Sequence, residues 1–218
     1  MFSSPKRQEV DHRTMKLIVG IIAISLAGLT SWFADDAIMS ISESYYRGGW
    51  SQAIFIGFLF AISAFLLAYN GMSRGEMLLS KVAAVAGLGI AMFPCQCGSH
   101  TELVRGVHAI SAATMFLILA YLCYGFFNRA WQKGHPEARR RAMVYAFCGI
   151  AIVLSIVVLA VDGLFGGFLT AKVPRLTFYG EATGLVAFGI SWLTASRTLP
   201  VLTREGERFS PMREHNPA

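Results

Sequence analysis

Six apolar runs separated by short polar stretches organise this chain: about Met15–Ala34, Gln52–Asn70, Ser80–Phe93, Gly106–Phe127, Ala142–Phe165 and Thr177–Ser196. A helix rises 1.5 Å per residue, so about 20 residues cross the roughly 30 Å hydrocarbon core of a bilayer, and most of the runs reach that length. The third is short because Pro94 closes it; it is expected to borrow Met77 to Leu79 at its start or to sit shielded among its neighbours. The pattern predicts an all-α fold, a polytopic transmembrane helix bundle of six spans over residues 15–198. Residues 1–14 and 199–218 are polar tails, rich in Pro, Ser, Arg and Glu, and are expected to be disordered. Small residues recur within the runs, as at Ala83, Ala84, Ala86, Gly87 and Gly89, and let helices approach closely.

Composition agrees with the pattern. Of the 218 residues 55% are hydrophobic and only 15% charged, against about 25% charged in a soluble domain. The net charge of +6 gathers at the ends of the runs and forms no single basic stripe, which argues against nucleic acid as a partner. Counted on alternate sides of six spans, fifteen Lys and Arg fall on one side and only four, Arg47, Arg105, Lys172 and Arg175, on the other. The excess of positive charge marks the cytoplasmic side, so both termini and the Asn128–Arg141 loop are expected there. No cleavable leader is expected, since Met1 to Met15 is polar and the first apolar run already has spanning length.

Polar chemistry collects on the opposite side. The loop from Asp35 to Ser51 is dense in hydroxyls and carboxylates and carries Tyr45, Tyr46 and Trp50. Aromatic residues belong at a membrane interface; Asp35, Asp36 and Glu43 together leave two readings, a solvated loop or a lid over the bundle mouth. The next outer loop holds Cys95, Cys97, His100 and Glu102. Two thiolates and an imidazole suit zinc or copper. The Cys-x-Cys spacing matches neither the usual zinc knuckle nor the c-type haem pattern, and an oxidising compartment equally allows a disulfide between the two or to a partner cysteine. Cys123 and Cys148 fall toward the far ends of their runs and read as packing residues.

Ionisable groups inside apolar runs are costly and face a partner or a cavity. His108, Asp162 and Glu181 lie at similar depth near the outer ends of the last three spans. Gly180 and Gly184 beside Glu181 invite a close helix neighbour, which makes a His108–Glu181 pair easy to form. With Glu43 such a pair could supply general acid and base; with Cys95, Cys97 and His100 it could hold a metal; alone it could relay protons or act as a hydrogen-bonded staple fixing helix register.

Several classes lose support. His108 is the sole histidine within a run, so bis-histidine haem ligation by a b-type cytochrome is unsupported. There is no phosphate-binding glycine loop and no nucleophile elbow. No inverted repeat or matched pair of broken helices points to a secondary transporter.

Ser40-Ile-Ser-Glu-Ser-Tyr-Tyr46, the run from Phe55 to Gly71, Ala91-Met-Phe-Pro94, His108 with Ala112, and Phe188-Gly-Ile-Ser-Trp-Leu193 resemble a family of small bacterial polytopic membrane proteins, which implies the bacterial inner membrane. That family carries an Arg-Asp pair before its second span where this chain has Trp50, Ser51 and Gln52. The layout is more distantly similar to the alkaline ceramidase and adiponectin-receptor-like superfamily of intramembrane zinc hydrolases. Of that superfamily's histidines this chain matches His108 alone, and it has Glu181 where the last helix would supply another ligand.

These observations lead to three expectations: a lipid-directed membrane hydrolase, with or without a metal, with a pocket near the outer face; a non-enzymatic subunit or scaffold binding lipid, another copy or a larger complex; and a proton-coupled carrier.

Overall fold

The computed structural model describes residues 12–209. Among them are seven α-helices, two short 3-10 turns and no strand. Six helices are long: α1 (His12–Trp32), α3 (Gly49–Ala68), α4 (Arg74–Met92), α5 (Val107–Gln132), α6 (Pro136–Leu164) and α7 (Leu176–Ala195); α2 (Ser44–Arg47) is a single turn within the first long loop. Each of the six apolar runs is one long helix. Five, α1 and α3 to α6, are long and apolar enough to cross a membrane. The sixth run, α7, has 20 residues but carries Thr177, Glu181, Thr183, Ser191 and Thr194, and it is not among those five.

Two helices begin earlier than hydropathy predicts, because capping fixes their starts. Ser73 accepts a hydrogen bond from Glu76 N, and the Glu76 carboxylate accepts from Met72 N, so α4 opens on a capping box at Arg74 and reaches 19 residues. The α6 start is set by the His135 ring accepting from Ala138 N, with Pro136 in the first turn where its missing N–H costs nothing.

The long helices close a ring. Chain neighbours pack on one another in turn, and α1 packs against α7 to complete the circuit. That last contact depends on Gly20 and Gly189: a Cβ on Gly189 would stand 2.7 Å from Gly20 O and 2.6 Å from Ile24 Cγ1, so only glycine allows the two backbones to touch. The glycines beside Glu181 work likewise, with Leu159 of α6 seated on Gly180 and Phe116 of α5 on Gly184.

The ring has two different ends. At the termini end, Trp192 is fully buried, with the rings of Tyr69, Phe188 and Phe126 at 5.2, 5.3 and 6.3 Å. Glu76, buried at the start of α4, pairs with Arg129, and Lys16 Nζ lies 5.3 Å from both the Tyr69 and the Phe126 ring centres. The region expected to be a disordered C-terminal tail is in part ordered. Residues 200–202 and 205–207 form 3-10 turns, and Glu207 is gripped by Lys133 (2.8 Å), Arg141 (3.2 Å) and Arg197. Three cations on one carboxylate outweigh the weak folding tendency of this polar sequence. Partial burial works against ionisation of Glu207, but the Lys133 hydrogen bond and the Arg197 and Arg141 charges hold its carboxyl down at about 2. The tail residues before 12 and beyond 209 lie outside the described residues.

Candidate functional site

At the other end, three loops fold over the ring. Ile38 and Ile41 of the Asp35–Ser51 segment are buried to the last few per cent, and the segment is tied down by Phe178 N donating to Met39 O (2.9 Å) and Arg175 Nε donating to Ile38 O (2.9 Å). The middle of the segment, at Ile38, Ser40, Ile41, Ser42 and Ser44, is therefore packed as part of the core, while Asp35, Asp36 and Trp50 stay exposed. Apolar anchors hold it down, and its hydroxyls turn inward.

Those hydroxyls meet the two ionisable residues of the helices. His108 is the second residue of α5 and is buried. Its Nδ1 lies 2.8 Å from Phe93 O, and its Nε2 lies 3.0 Å from Ser42 Oγ. Ser42 Oγ is also 3.1 Å from Glu181 Oε1, while Glu181 Oε2 accepts from Ile41 N at 2.5 Å. Ser42 thus joins α5 to α7, and His108 and Glu181 meet through it.

Hydrogen-bond arithmetic restricts the protons. Phe93 O can only accept, so Nδ1 carries a hydrogen. Ser42 has one hydroxyl hydrogen for two neighbours. Either a protonated Glu181 donates to Ser42 and Ser42 donates to a neutral His108, or a doubly protonated His108 donates to Ser42 and Ser42 donates to the Glu181 carboxylate. Both placements satisfy the same four contacts, and moving one proton at each of two links converts one into the other. The geometry thus allows a proton to shift along the trio without breaking any of the four contacts.

A cavity of about 640 Å³ opens from this trio, within the range of small-molecule sites. Its floor is the buried Leu26, Met115 and Leu185. Its other end reaches Ala109, Ala113, Ala160 and Leu164, which are exposed on the outer faces of α5 and α6. Ala112 and Gly163 line the same seam. Methyl groups and hydrogens leave the gap between α5 and α6 unfilled, so the cavity has a polar head, an apolar body and a side opening.

Of the other expected site residues, Cys95 and Cys97 line the cavity, whereas Glu43, His100 and Asp162 do not. Glu43 accepts from Met39 N (2.6 Å) and pairs with Arg47 (2.6 Å), closing its own loop, and does not line the cavity. Cys95 and Cys97 are joined in a disulfide, which removes the thiolates that a metal would need. His100 stacks on Tyr46 with ring centres 4.0 Å apart. Asp162 accepts from Leu169 N (2.7 Å) and Thr170 N (3.2 Å) and from the Thr170 hydroxyl, and so fixes the loop after α6. Among the described residues no group of three or more His, Cys, Asp and Glu side chains comes together to hold a metal ion. The expected zinc or copper set of His108, Glu181, Cys95, Cys97 and His100 is not assembled, because its sulfurs bond to each other and its second imidazole lies on a tyrosine. Cys123 and Cys148 are buried free thiols, as expected of packing residues.

Ser42 was not singled out by sequence, since it is one of four serines in twelve residues. The Phe93 carbonyl and the Ile41 amide were not legible either, being backbone atoms common to every residue. The Glu76–Arg129 pair carried a usable signal, a capping-box glutamate opening an apolar run.

A closed ring of long apolar helices defines a multi-pass membrane protein of the helical-bundle class. No family model matches the chain, and no curated protein or solved structure matches it.

Proposed function

We propose that this protein crosses the bacterial inner membrane six times, with both termini cytoplasmic, and takes up a lipid-like amphiphile whose polar end rests on Ser42, His108 and Glu181. The observation that carries the reading is the cavity's course, from that trio to the exposed small residues of the α5–α6 seam. A molecule sliding sideways from the outer leaflet would meet apolar walls first and hydrogen-bonding groups last. The fifteen-to-four charge split supports the orientation. For α7, glycine-mediated contacts with α1, α5 and α6 support a spanning role despite its polar residues, since a helix enclosed by others needs no fully apolar surface. The packed core of Met115, Leu119, Phe188 and Trp192 beneath the cavity favours a blind pocket over a conduit for a carrier.

Native mass spectrometry of wild type beside Ala113→Trp tests this. Wild type should retain a co-purified amphiphile, and the tryptophan in the seam should exclude it; an empty wild type, or equal retention in both, would sink the reading.

A second reading, a lipid hydrolase, is favoured by the Ser42–His108 contact. The Ser42 oxygen would attack an ester carbonyl carbon while His108 Nε2 takes the hydroxyl proton, the ring being held by Phe93 O. A fluorophosphonate probe should then label Ser42 in wild type and neither Ser42→Ala nor His108→Ala; an unlabelled wild type removes this reading.

A further inference from the structure

The Cys95–Cys97 disulfide lines the same cavity as His108 and Glu181. It is an unrewarding staple. The bonded residues are two apart, so the bond closes a minimal loop and removes little freedom from the unfolded chain. Its segment is already held without it: Tyr46 Oη donates to Cys95 O at 2.9 Å, and His100 stacks on the same tyrosine. Cys95 is buried against the cavity, whereas Cys97 is half-buried, with its Sγ 3.5 Å from Ser40 Oγ. Both residues line the cavity, and Cys97 is the more accessible of the two. A disulfide that adds little stability and stands in the wall of an amphiphile-shaped cavity is placed for electron exchange.

We propose that Cys95 and Cys97 form a redox pair that passes two electrons to a quinone-class carrier bound in the cavity. The proposal rests on the amphiphile reading and names the ligand class: a flat ring, one carbonyl oxygen of which takes the place of Ser42 as acceptor from His108 Nε2–H, and an apolar tail leaving through the α5–α6 seam. Starting from the reduced pair, both S–H bonds break and one S–S bond forms. The electron pair reduces the quinone, whose two C=O groups become C–OH groups, and the two protons lost by sulfur balance the two gained by oxygen. The pair is re-reduced by exchange with an external dithiol attacking Cys97; that dithiol becomes the disulfide, and Cys95 and Cys97 regain their hydrogens.

The test uses full-length protein in lipid nanodiscs, reduced with dithiothreitol, freed of reductant and mixed with decylubiquinone without oxygen. Free thiols are located by maleimide labelling after rapid unfolding and by peptide mass spectrometry, quinol is followed by absorbance, and quinone binding is measured separately by native mass spectrometry on Cys95→Ser/Cys97→Ser protein. Labelling at Cys95 and Cys97 should be lost as quinol forms in equal amount, while Cys123 and Cys148 keep theirs; Ala113→Trp should slow the reaction to the rate seen without a binding site. A pair that dithiothreitol cannot reduce in the folded protein, thiols that persist although quinone binds, or oxidation just as fast in Ala113→Trp would each overturn the redox assignment. Persistent thiols with quinone bound leave the amphiphile reading intact; failure of both quinone and lipid to bind ends both.

Discussion

His108 Nε2 stands 3.0 Å from Ser42 Oγ across 66 residues of sequence, one on the first turn of α5 and the other in a loop folded over the bundle. The contact matters because Ser42 is shared. It is the link through which Glu181, on α7, senses the proton on His108.

Glu181 can be tested with two substitutions of similar size. In Glu181→Gln the amide oxygen still accepts from Ile41 N and the NH2 donates to Ser42, reproducing the protonated-glutamate arrangement. Glu181→Leu leaves the Ile41 amide without its acceptor, at a cost of about 1–3 kcal/mol. Chemical unfolding in detergent should find the glutamine variant near wild type and the leucine variant clearly weaker; equal loss in both would mean that charge, not hydrogen bonding, holds the site.

Ring closure should be sensitive to a single methyl group. In Gly189→Ala the new Cβ meets Gly20 O and Ile24 within 3 Å, both atoms of a packed helix face. A loss of about 1–3 kcal/mol is expected from such overpacking. Gly28→Ala, where a Cβ meets nothing within 4 Å, is the control and should be neutral or slightly stabilising. Similar stability of the two variants would refute the close α1–α7 approach.

The Glu76–Arg129 pair should behave as a unit. Glu76 is buried and also caps α4, while the Arg129 side chain is 33% exposed. Glu76→Ala should therefore cost more than Arg129→Met, with the pair's share about 1–3 kcal/mol after allowing for the exposed partner. The double variant should lose less than the sum of the singles. Simple additivity in unfolding measurements would show that the two residues act separately.

Glu207 predicts a pH-dependent latch at the termini end. Its carboxyl titrates at about 2 in the folded protein against an ordinary 4.5. The folded state thus favours the ionised form, and its contribution is complete above about pH 4.5 and disappears as pH falls toward 2. Hydrogen exchange at residues 200–207, expressed relative to the intrinsic rate at each pH, should rise as pH falls across that window in wild type. In Glu207→Gln it should already be fast at neutral pH; a flat wild-type profile would exclude the latch.

Hydropathy located every long helix, missing boundaries where something other than lipid thickness set them. The starts of α4 and α6 lie in polar sequence, at Ser73 and His135, because a helix begins where its first amides find acceptors. His108 and Glu181 stood out because an ionisable group in an apolar run needs a partner. Glu43 looked equivalent by composition, but Arg47, four residues on, and the Met39 amide satisfy it locally.

Helix identity and chain order were settled by the sequence alone, since transfer of apolar side chains out of water depends on local composition. The touching backbones at Gly20 and Gly189 were not legible there. Tertiary structure alone decided that Ser42, rather than a neighbouring serine, joins His108 to Glu181, that Cys95 and Cys97 bond to each other in the cavity wall, and that the α5–α6 seam stays open. Each of these depends on a loop conformation fixed by contacts between distant parts of the chain, and no periodicity along a sequence encodes such contacts.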